Sequence, residues 1–302
     1  MPTTHCRRRF LARSMALAAA TAGPLADTLA WAATEPKQQS KMRLGLVTYL
    51  WGKDWDLPTL IANCAKSKVL GVELRTTHAH GVEPGLTAAE RKEVKRRFED
   101  SPVTLLGPGS NECFDHTSSN ALDKAIEATK AFVKLSHDTG GSGVKVKPNS
   151  FHKGVDHAKT IEQIGRSLNK VGKFAGDYGQ QIRLEVHGSC AELSTMKAIM
   201  DFVDDPNVGL CWNCNKQDLA GKGLQYNFNL VKDRFGDTAH VRELNVGDYP
   251  YQELMDLFVG MNYDGWILLE CRANPKDRVA ALIEQREVFS RMIGTATKPR
   301  AS

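Results

Sequence analysis

The sequence predicts a single (β/α)8 barrel of the α/β class, and three observations carry that expectation. From Lys41 onward, eight short β-branched runs each lead into an amphipathic stretch. The chain has 302 residues, and such barrels run to about 250 residues as one domain, so one core accounts for nearly the whole length. No linker rich in Pro, Gly or Ser divides the chain after residue 41, and no repeat appears beyond the βα period itself.

The expected strands are Arg43–Tyr49, Gly71–Arg75, Val103–Leu106, Gly143–Lys147, Ile182–His187, Val208–Asn213, Val241–Asn245 and Trp266–Glu270. Helical periodicity falls between them, at Leu57–Ser67, Thr87–Phe98, Asn120–His137, Thr160–Tyr178, Ala191–Asp201, Phe228–Phe235, Tyr251–Val259 and Asp277–Ile293. A strand-then-helix alternation requires parallel strands joined by right-handed crossovers, and eight units close a barrel. An open doubly wound sheet is the alternative. Against it, the first strand is not followed by the G-x-G-x-x-G turn that would cradle a dinucleotide phosphate, so no nucleotide cofactor is expected.

The first 32 residues read differently. Arg7-Arg8-Arg9 precede Phe10-Leu11, a small-residue run covers Ser14 to Thr21, and Ala30-Trp31-Ala32 fits an A-x-A cleavage site. This order resembles a twin-arginine export signal, which implies a periplasmic or otherwise exported protein. The expected organisation is then signal 1–32, linker 33–41, barrel 42–295 and tail 296–302. No other stretch approaches the roughly 20 uninterrupted apolar residues of a membrane span. The leader carries four arginines against Asp27, a net +3 of the chain's +5, so the remainder is nearly neutral. A nucleic-acid binder needs a concentrated basic face, whereas the densest basic run, Arg91 to Arg97, is interrupted by Glu93 at helical spacing and reads as a solvated helix face. Of seven cysteines only Cys211 and Cys214 form a C-x-x-C, without the second pair that a zinc module needs.

In a barrel the chemistry sits at the C-terminal ends of the strands. Those ends are rich in polar residues: Glu73, Arg75, His78 and His80 after strand two, Lys145 and Lys147 on strand four, Glu185 and His187 on strand five. Asn213 and Asn215 follow strand six, Arg242 lies on strand seven, and Glu270 and Arg272 end strand eight. Residues two apart share a strand face, so Glu185 and His187 project together, as do Lys145 and Lys147. Buried carboxylates require pairing, hydrogen bonds or a metal. Glu185 and Glu270 are therefore informative, with a structural ion pair to Arg242 or Lys147 as the plain alternative. His78 and His80, two apart in the loop after strand two, read as substrate contacts, as metal ligands or as solvated loop histidines, and Trp51 and Trp212 as flat faces for a ligand ring or as core aromatics.

Gly71-Val72-Glu73-Leu74, Leu184-Glu185-Val186-His187-Gly188, Val208 to Asn213 and Gly265 to Glu270 resemble strands two, five, six and eight of the xylose isomerase-like barrels, and the likeness spans nearly all of residues 42–295. That family includes sugar isomerases and epimerases, lyases acting on 3-keto-glycosides, and endonuclease IV. The resemblance implies a small carbohydrate substrate and a divalent metal (Mn, Co or Mg) held by Glu, Asp, His and Glu from strands five to eight, with the two glutamates moving a proton. Glu185 and Glu270 match the glutamate positions. Asn213 stands where Asp is usual, and His240-Val241-Arg242 stands where His-x-His is usual, which aligns Arg242 with the histidine ligand. Arginine stays protonated and cannot coordinate, so the metal expectation is weakened. Two substitutes stand side by side: His187 supplies the missing nitrogen, or Arg242 is itself the cation between the glutamates.

The implied chemistry is proton abstraction from a carbon beside a carbonyl, with isomerisation, epimerisation or elimination as outcomes. Glu73, His78, His80, Lys147, His187, Arg242 and Arg272 are the expected substrate contacts. A non-catalytic sugar-binding barrel with an eroded metal site is the alternative. An endonuclease IV-like phosphodiesterase fits less well, because it requires a dense zinc-binding cluster and a DNA substrate.

Overall fold

In the computed structural model, residues 40–297 are described. The twin-arginine-like leader, residues 33–39 of the linker and residues 298–302 of the tail lie outside them. Eight parallel strands form the barrel: β1 Arg43–Val47, β2 Gly71–Arg75, β3 Thr104–Cys113, β4 Gly143–Lys147, β5 Gln181–Glu185, β6 Val208–Cys211, β7 Thr238–Val241 and β8 Trp266–Leu269. Each is followed by a helix, namely α1 Leu57–Ser67, α2 Ala88–Glu99, α3 Ser119–Thr139, α4 His157–Asp177, α5 Leu193–Met200, α6 Leu224–Val231, α7 Tyr251–Gly260 and α8 Arg278–Ala296. The order around the sheet is β6-β5-β4-β3-β2-β1-β8-β7, so β1 pairs with β8 as closure demands. Between β6 and β7 only the isolated bridges Leu210 to Phe235 and Asn213 to His240 complete the ring. Among the described residues no helix is long and apolar enough to cross a membrane.

The helices start where the sequence supplies caps. Asp56 accepts from the Thr59 N–H ahead of α1, and Thr87 with Glu90 forms a reciprocal capping box ahead of α2. The lysine- and arginine-rich run lies on α2 as a solvated face, where Arg96 and Arg97 pair with Glu93. The main apolar core lies between the sheet and its helices, and includes Leu60, Val133, Leu168, Met196 and Phe258. Trp51 and Trp212 belong to it, 2% and 0% exposed, so neither offers a face to a sugar.

The barrel interior is filled differently. Its apolar layer is small, comprising Val47, Leu106, Trp266 and Leu268. Glycines leave room for long polar side chains: a Cβ at Gly143 would lie 2.9 Å from Cζ of Arg183, and one at Gly109 would lie 2.6 Å from Oε1 of Glu73. At the N-terminal end Arg183 spans this space, donating to the Leu106 carbonyl, Ser142 Oγ, Gln181 Oε1 and Asp237. The opposite end holds the polar cluster described next.

Two strands differ from the sequence reading in ways that move the site. β3 continues to Cys113, well past Leu106, bridging to β4 at Gly109 and Cys113. β7 begins at Thr238 and ends at Val241, rather than running from Val241 to Asn245, so Arg242 lies beyond the strand. The physical reason is the β6–β7 closure, which sets Asn213 opposite His240.

Candidate active site

At the C-terminal end of the barrel, Glu185 closes β5 and Glu270 follows β8; they are 2% and 8% exposed. They line one cavity of about 260 Å3 together with Tyr49, Arg75, Lys147 and His187. Ligand atoms of Glu185, Glu270 and His240 all lie within 4.8 Å of one another. Glu185 is the hub of the cluster. Its Oε2 lies 2.8 Å from Lys145 Nζ, its Oε1 accepts from Asn213 Nδ2 at 2.7 Å, and the same oxygen is 3.8 Å from His240 Nδ1. Behind His240, its Nε2 contacts Glu73 Oε2 at 3.3 Å.

The electrostatics follow from burial and neighbours. Burial alone would raise the Glu185 carboxyl, yet Lys145 and His240 outweigh it and hold Glu185 well below the ordinary carboxylate range. Glu270 moves the other way. Burial raises it, and the charge on Glu185 raises it further. Glu73 is held low by His240 and Lys145 against its own burial. Burial also lowers His187 and Lys147 from their usual values.

A divalent ion fits this set. The test is His240: it is fully buried, its Nε2 is engaged by a carboxylate, and its Nδ1, facing the glutamates without a hydrogen-bond partner, would become a ligand atom on losing the proton that these carboxylates hold on the ring. A histidine held from behind by a carboxylate, with its other nitrogen left over, is the arrangement of a metal ligand and its outer support. Glu185, Glu270 and His240 supply the donors, and Asn213 would add its amide oxygen once the amide turned from its present contact with Glu185. Lys145 is the opposing feature, a buried ammonium already paired with the central ligand.

Several sequence-predicted residues sit elsewhere than expected. Arg242 is not at the histidine-ligand position and pairs with neither glutamate: His240, two residues earlier on β7, takes that place, and Arg242, beyond the strand, lines a neighbouring cavity. His187 is not one of the three residues whose donor atoms converge; it lines the cavity beside them, its Nδ1 without a hydrogen-bond partner. Glu73 does not face the cavity but supports His240. His80 is turned into its own loop, where Nε2 meets the Arg75 carbonyl at 2.9 Å and Nδ1 accepts from the Val82 N–H, leaving nothing for a substrate. His78 contacts Thr48 Oγ1 and is not part of the cavity wall. Lys147 and Arg272 do line it, as does Asn213.

Tyr49 and His240 complete the site without having been singled out, and Arg75 and Lys145, read from the sequence only as polar strand-end residues, join it. Arg75 lies over the Tyr49 ring at 4.8 Å. The i, i+2 relation of Lys145 to Lys147 on β4 was the available signal for Lys145; it gives the shared face but not the depth.

The geometry has many parallels among solved structures. An L-ribulose 3-epimerase superposes with a TM-score of 0.72 at 15% identity, covering 84% of this chain and 95% of that one. A 3-keto-D-glucoside 4-epimerase from E. coli gives 0.70 at 12% identity, over 82% and 99% of the two chains. D-allulose 3-epimerase from Methylomonas sp. gives 0.69 at 17% identity, over 84% and 98%. The chain matches none of the curated proteins. At these identities the likeness establishes the fold. The family model for xylose isomerase-like TIM barrels matches residues 61–292, and with that span covered the chain belongs to the xylose isomerase-like TIM barrel family.

Proposed function

We propose that the protein is a sugar isomerase or epimerase that moves a proton at a carbon beside a carbonyl. The observation that carries the reading is the opposed pair on one cavity: Glu185 held as an anion and Glu270 pushed toward its protonated form. Environments that drive two carboxyls apart are what acid and base roles require. Glu185 takes the proton from the carbon, and Glu270 delivers one to the same or the adjacent carbon. Lys147, Arg75 and Arg272 line the cavity as cations for the substrate's oxygens. A divalent ion held by Glu185, Asn213, His240 and Glu270 would supply Lewis-acid stabilisation of the developing oxyanion. Lys145 holds Glu185 in its charged, proton-accepting form, and Glu73 fixes the His240 ring.

Elimination of a β-leaving group, as in a 3-keto-glycoside lyase, starts from the same carbanion and is the finer alternative within this reading. The N-terminal sequence supports export by the twin-arginine route, with a mature chain starting near Ala33; N-terminal sequencing of periplasmic material checks this.

The test is incubation with Mn2+ in D2O against ketoses, aldoses and 3-keto-glycosides, read by mass spectrometry. Deuterium should enter beside the carbonyl of at least one class, and neither Glu185→Gln nor Glu270→Gln should support it. Binding of a sugar with no exchange under any condition would instead favour a non-catalytic sugar-binding barrel.

A further inference from the structure

Beside the catalytic cavity lies a second, larger one of about 700 Å3, walled by the segments that follow β6, β7 and β8. The two cavities share Asn215 and Arg272. The inner cavity, at about 260 Å3, falls below the roughly 300–1,000 Å3 usual for small-molecule sites, whereas the outer one lies within it. A substrate confined to the inner cavity would leave the outer one unused.

The outer walls have a definite chemistry. Lys216, Arg242 and Arg272 bring three cations to the cavity, and among the described residues none of them forms an ion pair. Arg242 is half-buried, and its Nε is buried with no hydrogen-bond partner. Of the acids nearby, Glu243 and one oxygen of Asp218 are occupied, the other oxygen of Asp218 is buried without a partner, and Asp248 is solvated. Glu243 is buried and accepts from the Arg272 and Ala273 N–H groups, Asp218 accepts from Asn215 N–H and Tyr249 O–H, and Asp248 is exposed. Leu219, Val246 and Tyr249 supply the apolar wall; Leu219 and Val246 are 38% and 61% exposed.

We infer that the outer cavity binds an anionic, ring-bearing substituent of the substrate, so that the natural substrate is a glycoside rather than a free monosaccharide. This rests on the proposed function, in that the sugar ring occupies the inner cavity. Arg242 is the anchor of the anion: its guanidinium presents a planar donor set that a carboxylate or phosphate matches, and the donor left unpaired at Nε is satisfied on binding. The substituent's ring lies on Tyr249 and Val246.

The experiment is calorimetric titration of the full-length protein with 4-carboxyphenyl β-D-glucoside and its neutral isostere, 4-carbamoylphenyl β-D-glucoside. The carboxylate should bind about tenfold more tightly, the scale of one charge-assisted contact. Arg242→Gln should erase the difference and Arg242→Lys should retain part of it. Glu185→Gln should leave the difference intact, because the outer cavity does not depend on the catalytic pair. Equal binding of the two probes, binding of neither, or a preference that persists in Arg242→Gln would overturn the inference. A carboxylate preference without any deuterium exchange would leave the outer site standing and refute the proposed reaction alone.

Discussion

Arg183 and Glu185 are two residues apart on β5 and both project into the barrel, yet their surroundings are opposites. Arg183 is 1% exposed, and its guanidinium donates to four partners. Around Glu185, by contrast, buried polar atoms are left over: Glu73 Oε1, His187 Nδ1 and His240 Nδ1 have no hydrogen-bond partner. Unmade hydrogen bonds in a low-dielectric interior are costly, and a structural polar network normally closes on itself. The saturated end of the barrel therefore reads as architecture, and the unsaturated end as a site prepared for something that arrives.

The sharpest way to break this comparison is to neutralise each residue. Glu185→Gln should lower proton exchange by roughly 100- to 10,000-fold, with a stability cost below that of Arg183→Met because the glutamine oxygen still accepts from Lys145. Arg183→Met should do the reverse, costing about 3 kcal/mol of stability by stranding its partners, while folded molecules keep their exchange rate. Thermal denaturation and isotope exchange on both variants decide it. Loss of stability in Glu185→Gln as large as in Arg183→Met would erase the distinction.

Lys145 is the next point of leverage. Its ammonium sits 2.8 Å from Glu185, where it repels an incoming cation. Lys145→Met should therefore bind Mn2+ about tenfold more tightly by calorimetry, and its melting temperature should rise more on adding Mn2+ than that of the parent. Unchanged affinity would mean that the ion binds away from Glu185.

Asp218, at the outer cavity, is an intermediate case. One oxygen accepts from Tyr249 and Asn215, and the other is an orphan. Burial raises its carboxyl to about 7. A carboxyl raised on folding adds stability that is complete below its unfolded value, near 3.8, and is lost as pH rises through about 7. Between pH 5 and 8 the parent should lose on the order of 2 kcal/mol from this group, and Asp218→Asn should show a flatter profile. Parallel melting-temperature profiles for the two proteins would remove Asp218 as the cause.

The smallest effect is expected at Arg242. With His240 already in the cluster, Arg242→His should leave divalent-metal affinity unchanged, since residue 242 lies beyond β7 in the outer cavity. Tighter metal binding in that variant would place residue 242 inside the cluster after all.

The sequence by itself determined the strand and helix count, the parallel order and the arrival of Glu185 and Glu270 at one cavity, because period-two runs alternating with amphipathic stretches admit few topologies. It also identified Lys147 and Arg272 as cavity residues, since their position at strand ends is a local property. What it left undetermined was depth. Lys145 and Lys147 share a face of β4, and alternation cannot say which of them lies at the level of Glu185; His240 and Arg242 are also two apart, but β7 ends between them. The β6–β7 closure, with Asn213 opposite His240, decides that His240 is the ligand candidate. Loop chemistry was equally hidden: His80 is consumed by the Arg75 carbonyl and the Val82 N–H, contacts that exist only once the β2 loop folds back on itself. Glu73 turns inward to His240 across 167 residues of chain, a relation that only the closed barrel creates.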